Sequence, residues 1–379
     1  AKNNMNRIFK EAFSTLLPNN KLLLLYGPKG LDNISFVVDI LSEKSLKYSV
    51  IDLSDSAIRG EINKLTLEEL IWYINQAPYA ILNACEHLKL LSPLAGAVLD
   101  QLVTSSLILI AKNKTSLDIE LIDALDNAGL SFYFPASTFY EYTIKNGLSV
   151  EDKGLEKRLI FGNYFGLEIN NESIELDLKE LSKTMLEGPF SAKSRVNKND
   201  ILWRTIQVLS HHIGQALSYH QISELIQVDN ETVERYIHLL IDAHLLYKIP
   251  CYNTDQRYEL KKTHIFIFMD NGIRNAVINN FNSLTMRIDL DALWKNWLIA
   301  ERIKWNSING RNPKYYFWRS HTRQQIDLIE IGEKGMEGFN FRFEKKKMIK
   351  TSPLFSKYYP TSAVHTVNKS TYLTFLTKK

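Results

Sequence analysis

The stretch 21–27, KLLLLYG, sets the fold of the first third of the chain. It is a short apolar run that ends in glycine, and four further apolar runs follow it at intervals filled by helix-like sequence. Apolar runs of this length are typical of strands buried on both faces of a sheet. The predicted strands are residues 21–27, 47–53, 79–84, 106–111 and 130–135, and the helices predicted between them are residues 34–41, 67–76 and 92–102. Residues 1–140 therefore predict an α/β domain with a parallel sheet covered by helices.

Length and composition exclude several classes of protein. The chain has 379 residues, 45% of them hydrophobic, with 16 Gly and 10 Pro; this excludes a disordered or fibrous chain and predicts several domains. The two cysteines, Cys85 and Cys251, are too few for a disulfide framework and have no metal-ligand spacing. No apolar run approaches the ~18 residues of a membrane helix, and the first residues lack a signal-peptide core. We therefore expect a cytoplasmic protein with no membrane contact and no bound metal.

The net charge of +4 conceals a charge asymmetry along the chain. Residues 287–379 contain 18 basic and 8 acidic residues, a local net of +10, whereas residues 1–286 contain 28 basic and 34 acidic residues, a net of −6. Asymmetry of this kind concerns binding partners rather than fold. The sequence therefore predicts that a polyanion such as DNA or RNA would bind the carboxyl-terminal quarter.

Two segments follow the first domain. Residues 141–199 are mixed and helical, and are predicted to form a helical lid and linker, with the polar stretch 190–200 as the linker. Residues 200–262 have the order helix, short helix, helix and hairpin, which is the order of a winged helix-turn-helix. Its third helix is predicted at Asn230–Asp242 with Asp229 as the amino-terminal cap, and its last strand at 257–261.

The last segment, residues 263–379, has a mixed α/β pattern. It opens with an apolar strand at 264–269, and a long helix at 290–305 carries Trp294, Trp297 and Trp305, which are predicted to be packing anchors. Three more predicted strands follow this helix, at residues 315–319, 325–331 and 338–343.

Three phrases of the sequence carry a family resemblance. They are the strand end Tyr26-Gly27-Pro28, the phrase Met269-Asp270-Asn271-Gly272-Ile273-Arg274, and the phrase Tyr316-Phe317-Trp318-Arg319. Together with the winged helix that begins at Asp200, they resemble a family of bacterial and archaeal predicted ATPases. In that family an AAA-type P-loop domain is joined to a winged helix and a carboxyl-terminal domain of uncharacterised function with a restriction-endonuclease-like core. The resemblance covers essentially the whole chain and implies ATP and Mg²⁺ as cofactors.

The P-loop implied by the resemblance is altered in this sequence. A P-loop reads G-x-x-x-x-G-K-[ST], where the glycines admit the phosphates, the lysine neutralises them and the hydroxyl holds Mg²⁺. The corresponding residues here are Gly27, Pro28, Lys29, Gly30, Leu31, Asp32, Asn33 and Ile34, followed by Ser35. Asp32, Asn33 and Ile34 thus replace the second glycine, the lysine and the hydroxyl, and Asn83 replaces the metal-binding aspartate of the next nucleotide motif. The residues predict no bound cofactor; the alternative is an ATPase that uses Lys29 in an unorthodox site.

The nuclease motif implied by the resemblance is also altered. Enzymes with this core place carboxylates and a lysine on neighbouring strands, so that metal ions and a cation flank the scissile phosphate. The resemblance aligns Gln325-Ile326-Asp327 with the first carboxylates and Asn340-Phe341-Arg342 with the acidic-x-Lys pair, while the preceding helix has Lys295 in place of an acid and keeps Glu301. Asp327, Glu301 and Arg342 are therefore the candidate catalytic remnants. The altered motifs predict a protein that is not an enzyme.

Replacement of acidic residues by neutral or basic ones favours contact with phosphate, because each replacement removes a repulsion between a carboxylate and the phosphate. The candidate nucleic-acid-binding residues are basic and cluster around the last strands: Arg319, Arg323, Arg342, Lys345, Lys346, Lys347 and Lys350. The alternative interpretation is a solvated basic face. Residues 200–262 contain 6 basic and 8 acidic residues, which favours protein docking or self-association through the winged helix over reading of a DNA groove. We thus predict a catalytically degenerate scaffold for nucleic acid or a protein partner; the other alternative is an interaction module assembling through the winged helix.

Overall fold

The computed structural model describes residues 7–17, 19–28, 33–114, 116–134, 137–164, 171–187, 197–252, 262–320, 322, 324–333, 335–344 and 352–377. The chain divides into two compact units, Ala1–Pro135 and Ala136–Lys379. Among the described residues, each helix is too short or too polar to cross a lipid bilayer.

A parallel sheet forms the centre of the first unit. The strands found in the described residues are β1 (Leu22–Tyr26), β2 (Tyr48–Asp52), β3 (Tyr79–Asn83), β4 (Ser106–Ala111) and β5 (Ser131–Tyr133). They lie in the order β2-β3-β4-β1-β5 and all pairs are parallel, so the predicted sheet is confirmed. This α/β arrangement fits a P-loop NTPase-like domain.

Helices cover the sheet of the first unit. They are α1 (Arg7–Leu16), α2 (Asn33–Glu43), α3 (Ser56–Ile62), α4 (Leu67–Ile74), α5 (Leu91–Leu99) and α6 (Ile119–Asn127), with a 3-10 turn at Cys85–His87. The central strand β1 is buried on both faces, since Leu22–Leu25 are at most 1% exposed, as its unbroken apolar run requires. Side-chain caps set where several of these helices begin: Asp55 caps α3, Asp118 caps α6, and Thr66 forms a capping box with Glu69 at the start of α4.

The second unit begins with four helices and a helix-rich subdomain. The helices are α7 (Phe139–Asn146), α8 (Leu148–Lys153), α9 (Leu155–Phe161) and α10 (Ile174–Glu187). The subdomain that follows contains α11 (Asn197–His211), β6 (Ala216–Ser218), α12 (Tyr219–Ile226), α13 (Asn230–Asp242), β7 (Leu246–Pro250) and β8 (Thr263–Phe268). Helix α13 has its predicted bounds, and the Asp229 side chain accepts a hydrogen bond from Thr232 N at 2.7 Å, as predicted.

The strands of this subdomain form an antiparallel sheet that crosses the predicted boundary at residue 262. Their order is β6-β8-β7, so β8 pairs with both of its preceding strands. The strand predicted at 257–261 lies outside the described residues. Residues 263–268, predicted to open the last domain, instead complete this sheet, because an apolar run does not reveal which neighbour it pairs with.

The remainder of the second unit consists of a long helix and a mixed sheet. Its elements are α14 (Asn271–Val277), a 3-10 turn at Leu284–Met286, α15 (Leu290–Ile308), β9 (Lys314–Arg319), β10 (Gln325–Gly332), β11 (Gly335–Phe341), α16 (Pro353–Tyr358), β12 (Ala363–Val367) and α17 (Tyr372–Thr377). Within the described residues the strand order is β12-β11-β10-β9, with β11 and β12 parallel and the other pairs antiparallel. The strand predicted at 338–343 therefore begins and ends earlier, as β11.

The core of the second unit lies around α15. Trp294, Trp297 and Trp305 on this helix are all buried, which confirms their predicted packing role, and Trp294 and Trp297 both contact the ring of Tyr372 on α17. The two sheets of the unit meet where Tyr252 N donates to Phe317 O at 2.6 Å. Helices α9 and α10 pack against α14, so the described helices of the segment predicted as a lid belong to this unit.

Candidate functional site

The predicted P-loop follows β1, at the carboxyl edge of the first sheet. Gly27 has a packing role there, because a Cβ at this position would lie 2.3 Å from Phe134 O. The motif positions Lys29, Gly30, Leu31 and Asp32 lie outside the described residues. Asn33, at the position of the P-loop lysine, begins α2; its side chain is buried, and its Oδ1 has no hydrogen-bond partner among the described residues. A neutral amide thus occupies the place of the phosphate-neutralising cation.

Three further motif positions of this edge are described. Pro28 is buried, Ile34 is half-buried and Ser35 is exposed. None of these three side chains brings a positive charge to the amino terminus of α2, where relatives with an intact motif would hold phosphate.

The end of β3 carries an amide that binds a neighbouring carboxylate. Asn83 Nδ2 donates to Asp52 Oδ1 at 2.7 Å, and Ser54 donates to the same oxygen from its backbone and hydroxyl. Burial opposes ionisation of Asp52, but these hydrogen bonds outweigh it and lower the pKa of the carboxyl group. Glu86, beyond the strand, lies 4.0 Å from Lys112 Nζ. The described residues of this edge therefore do not fit Mg-ATP, because the cation and the metal ligand of the motif are both replaced by amides.

Asp327 on β10 lies at the centre of a buried charge cluster in the second unit. The residue is 5% exposed. Lys295 Nζ, from α15, lies 3.1 Å from its Oδ1, and Arg342 lies 3.7 Å from its Oδ2. Gln325 Nε2 donates to Oδ1 at 2.8 Å and Phe341 N donates to Oδ2 at 3.0 Å. Two cations and two neutral donors thus satisfy this carboxylate from within the protein.

The protonation state of Asp327 follows from these contacts. Burial alone would raise the pKa of the carboxyl group, but the charge of Lys295, the Phe341 amide and the charge of Arg342 together lower it. Lys295 also donates to Gly214 O at 3.0 Å, which joins α15 to the turn before β6. The lysine ammonium therefore neutralises the carboxylate from within the protein. The described residues contain no group of three or more acidic, histidine or cysteine side chains that could hold a metal ion.

The structure separates the predicted catalytic remnants. Asp327 and Arg342 lie together, but Glu301 does not join them. Glu301 lies six residues after Lys295, about 9 Å further along the helix. It accepts hydrogen bonds from Phe139 N at 2.6 Å, Asn163 Nδ2 at 3.0 Å and Lys304 Nζ at 2.8 Å. Glu301 and Asp327, both predicted as catalytic remnants, therefore do not share one site: Glu301 anchors the start of α7.

A second cluster of buried carboxylates surrounds Glu301. Asp270 caps α14 at Ile273 N and also accepts from Asn163 N at 2.7 Å; burial raises the pKa of its carboxyl group. Glu141 forms a buried capping box with Thr138. Burial, and to a lesser degree the charge of Glu301, raises the pKa of Glu141 to about 7, although the Thr138 hydrogen bonds and the charge of Lys304 oppose the shift.

Sequence reasoning missed this second cluster, although two signals pointed to it. One is the phrase at 269–274, in which Asp270 precedes a glycine. The other is Gly162, which has φ +75° and approaches Asp270 so closely that a Cβ would lie 2.0 Å from its Oδ1. Gly162 and Asp270 therefore belong to one packed junction.

The predicted nucleic-acid-binding residues fall mostly outside the described part of the chain. Arg323, Lys345, Lys346, Lys347 and Lys350 are not described. Arg319, at the end of β9, is half-buried, and Arg342 contacts Asp327.

The aromatic residues near these basic residues belong mainly to the core. Tyr315, Phe317 and Trp318 are buried and do not offer a stacking surface. Phe343 is half-buried, and Lys369 Nζ lies 4.0 Å from the centre of its ring.

The exposed face of α13 is more acidic than basic. Glu231, Glu234, Arg235 and His238 are exposed on it, and His238 Nε2 lies 3.8 Å from Glu234. This surface would repel the phosphates of a DNA groove.

Comparison with known proteins finds a family model that matches part of the second unit. The family model "Domain of unknown function (DUF8612)" matches residues 153–284. An uncharacterized protein of Haemophilus influenzae (strain Rd) is 26% identical over 154 residues, which is 37% of this chain and 38% of that protein. The chain therefore matches well under two thirds of the length of that relative.

The chain is also similar to solved structures at low identity. The Walker-type ATPase Paby2304 of Pyrococcus abyssi is 11% identical with a TM-score of 0.47, and the match covers 71% of this chain and 94% of that one. A RuvB variant of Thermotoga maritima is 15% identical with a TM-score of 0.34, over 65% of this chain and 90% of that one. TM-scores this low do not by themselves define a fold.

Proposed function

We propose that this chain is an ATPase-like protein that has lost hydrolytic chemistry and acts as a binding scaffold, with nucleic acid as the partner of its basic carboxyl-terminal segment. The observation that carries the proposal is the 3.1 Å contact between Lys295 and Asp327. This contact supports the proposal because an internal ammonium group, rather than a metal ion, neutralises the carboxylate that the resemblance aligns with a nuclease site.

The charges around Asp327 disfavour divalent metal. Two unit charges 4 Å apart interact by about 4 kcal/mol at the effective dielectric constant of a protein surface. A divalent ion at Asp327 would meet Lys295 and Arg342 at comparable distances, so it would have to displace the lysine. Nuclease chemistry that depends on metal at this carboxylate is therefore not expected.

The same charges favour a polyanion. Asp327 contributes one negative charge to the cluster, and Lys295 and Arg342 contribute two positive charges, so a position that bears excess negative charge in a nuclease bears excess positive charge here. Residues 287–379 carry a net charge of +10. Neutralising phosphates with such residues releases counterions, which is the main source of affinity in non-specific nucleic-acid binding.

Charge reversal in the basic run tests the nucleic-acid partner. Replacing Lys345, Lys346 and Lys347 with glutamate should weaken binding of a fluorescent duplex at low salt at least tenfold, and should reduce the slope of log affinity against log salt by about 3. The matched control is the triple replacement of the exposed Lys44, Lys47 and Lys89 of the first unit with glutamate, which should leave both quantities unchanged. Equal loss in the two variants, or no binding by the unaltered chain, would contradict the proposal.

Nucleotide binding is expected to be absent. A ligand present at 100 times its Kd stabilises the folded state by about 2.7 kcal/mol, so millimolar Mg-ATP would raise the melting temperature of the first unit if an unorthodox site existed. We expect no rise in differential scanning calorimetry. A rise that the Lys29→Met substitution removes would instead establish the alternative, an ATP site that uses Lys29.

A protein partner of the winged-helix-like subdomain is the second candidate function. The acidic face of α13 favours it, because Glu231 and Glu234 face solvent there with one arginine. It is the candidate that remains if the duplex does not bind.

A further inference from the structure

The start of α7 is held by two buried carboxylates at consecutive backbone amides. Glu141 accepts a hydrogen bond from Thr138 N at 2.8 Å, and Glu301, on α15, accepts one from Phe139 N at 2.6 Å. The two acids are 4% and 2% exposed. Consecutive residues are about 3.8 Å apart along the chain, so both carboxylates meet at the amino terminus of one helix.

One ammonium group and one further carboxylate complete this arrangement. Lys304 Nζ donates to Glu301 Oε1 at 2.8 Å. Asn163 joins Glu301 to Asp270, because its Nδ2 donates to the first at 3.0 Å and its backbone N donates to the second at 2.7 Å. The Glu301 cluster consists of the four charged residues Glu141, Asp270, Glu301 and Lys304. Its three carboxylates share one cation and a helix amino terminus, which acts as about half a positive charge. Like charges in a shared buried site oppose full ionisation, so the arrangement favours a retained proton.

The other titratable groups packed against the start of α7 interact among themselves. Arg158 on α9 binds Glu151 of α8 at 2.8 Å, and its guanidinium lies 3.6 Å from the centre of the Tyr142 ring. Burial raises the pKa of Tyr142 to about 12, so this phenol stays neutral. On α17, Tyr372 donates to Asp152 of α8 at 2.7 Å. The charge of Arg158 is thus already balanced by Glu151 within this group.

Aromatic side chains at the same helix start pack on two tryptophans of α15. The ring centres of Phe139 and Trp297 lie 5.2 Å apart, and those of Tyr140 and Trp305 lie 4.7 Å apart. Both tryptophans are buried. The carboxylate contacts and the aromatic contacts therefore hold the same turn of α7, so this turn would dock on α15 or leave it as one piece.

We propose that the Glu301 cluster is a pH-dependent switch, in which one retained proton keeps the first turn of α7 docked on α15 and loss of this proton releases the turn. Without the proton, repulsion between Glu141 and Glu301 opposes docking. Burial raises the pKa of Glu141 to about 7, which supports Glu141 as the carrier of the proton. Because α7 is the first described helix of the second unit, the switch sets where the ordered part of that unit begins.

The direction of the pH effect follows from the two pKa values of Glu141. The docked carboxyl group keeps its proton up to about pH 7, whereas after release its pKa returns to near 4.5. Release therefore frees a proton between these values, and its equilibrium constant rises by up to about tenfold for each pH unit there. Docking is strongest below the lower pKa and weakest above the higher one.

Hydrogen exchange of the full chain, followed by mass spectrometry and corrected for the intrinsic exchange rate at each pH, tests the switch. Between about pH 5 and about pH 8, peptides that cover α7 should lose protection at least about tenfold. Their exchange at pH 8 should not respond to about 1 M urea, because release of one turn exposes little surface. Peptides of α13, in the same unit, should remain more protected than α7 at pH 8.

Two substitutions separate the switch from a general effect of pH. Glu141→Gln should keep α7 protected at pH 8, because a neutral amide can still accept from Thr138 and brings no repulsion. Glu69→Gln, in the capping box of α4, is the matched control and should leave the pH-dependent loss in α7 unchanged. Circular dichroism verifies that both variants fold, and the comparison of pH values in the unaltered chain does not depend on them.

Three results would overturn the proposal. One is equal protection of α7 at the two pH values. Another is exchange of α7 at pH 8 that urea accelerates as strongly as that of α13, since α7 would then exchange through unfolding of the whole unit. The third is a folded Glu141→Gln variant that still loses protection in α7 at pH 8.

Discussion

Replacing Lys295 with methionine is expected to lower the free energy of unfolding of the second unit by about 3 kcal/mol, because it leaves the Asp327 carboxylate buried with weaker compensation. Lys295 and Asp327 are 13% and 6% exposed, and their charged groups lie 3.1 Å apart. The substitution also removes the hydrogen bond to Gly214 O, which ties α15 to the turn before β6.

Urea unfolding followed by tryptophan fluorescence measures this loss. Five of the six tryptophans, all except Trp72, lie in the second unit, so the signal reports mainly on that unit. Arg342→Met is the matched control: its side chain is 35% exposed and lies 3.7 Å from Asp327, so its loss should cost about 1 kcal/mol or less. Adding Asp327→Asn to Lys295→Met should recover part of the stability. Equal costs for Lys295→Met and Arg342→Met would show that the lysine does not compensate the buried charge.

Glu141→Gln is expected to remove a pH dependence of stability worth about 3 kcal/mol between about pH 5 and pH 8. Burial raises the pKa of Glu141 to about 7, whereas the same carboxyl group in the unfolded chain ionises near 4.5. Between these two values the folded state holds a proton that the unfolded state has lost. The stability that the folded state gains from this proton is therefore fully present below the unfolded pKa and is lost as the pH rises through about 7.

Measuring the free energy of unfolding at about pH 5 and about pH 8 tests the direction and the size of this pH dependence. The glutamine keeps an oxygen that can accept from Thr138, as Glu141 does at 2.8 Å and 3.1 Å, so the cap survives and only the ionisation is removed. Glu69→Gln is the matched control, because Glu69 forms the same kind of capping box with Thr66 on an exposed helix of the first unit. A Glu141→Gln variant whose stability falls as steeply with pH as that of the unaltered chain would show that Glu141 is not the responsible group.

Local patterns sufficed to predict the elements that are determined by their own sequence. Strand β4, Ser106–Ala111, and helix α13 have their predicted bounds, because an unbroken apolar run and a capped helical repeat each depend on neighbouring residues only. The pairing partner of a strand, in contrast, is not determined by neighbouring residues in the sequence. The strand at Thr263–Phe268 was recognised approximately, but its place beside β6 and β7 depends on residues up to 49 positions away.

The candidate sites show the same division. Substitution of the P-loop and nuclease positions could be read from the sequence, and so could the presence of Lys295 on the helix before the nuclease-like strands. That Lys295 contacts Asp327 while Glu301 does not depends on how α15 is rotated against β10, and no local pattern gives this rotation. The Glu301 cluster was missed for the same reason, since its partners come from α7, the residues after α9 and α15 itself.

The long sequence separation of the Glu301 contacts has a consequence for the order in which the chain can fold during synthesis. Glu301 accepts from Phe139, 162 residues earlier, and from Asn163, 138 residues earlier. Asp270 adds a contact to Asn163 across 107 residues. The sheet of the first unit contains all its own partners and can form as soon as it leaves the ribosome. Helices α7 and α9, in contrast, acquire their anchors only after α15 has been translated. The middle of the chain therefore reaches its final packing only once the last quarter has been synthesised.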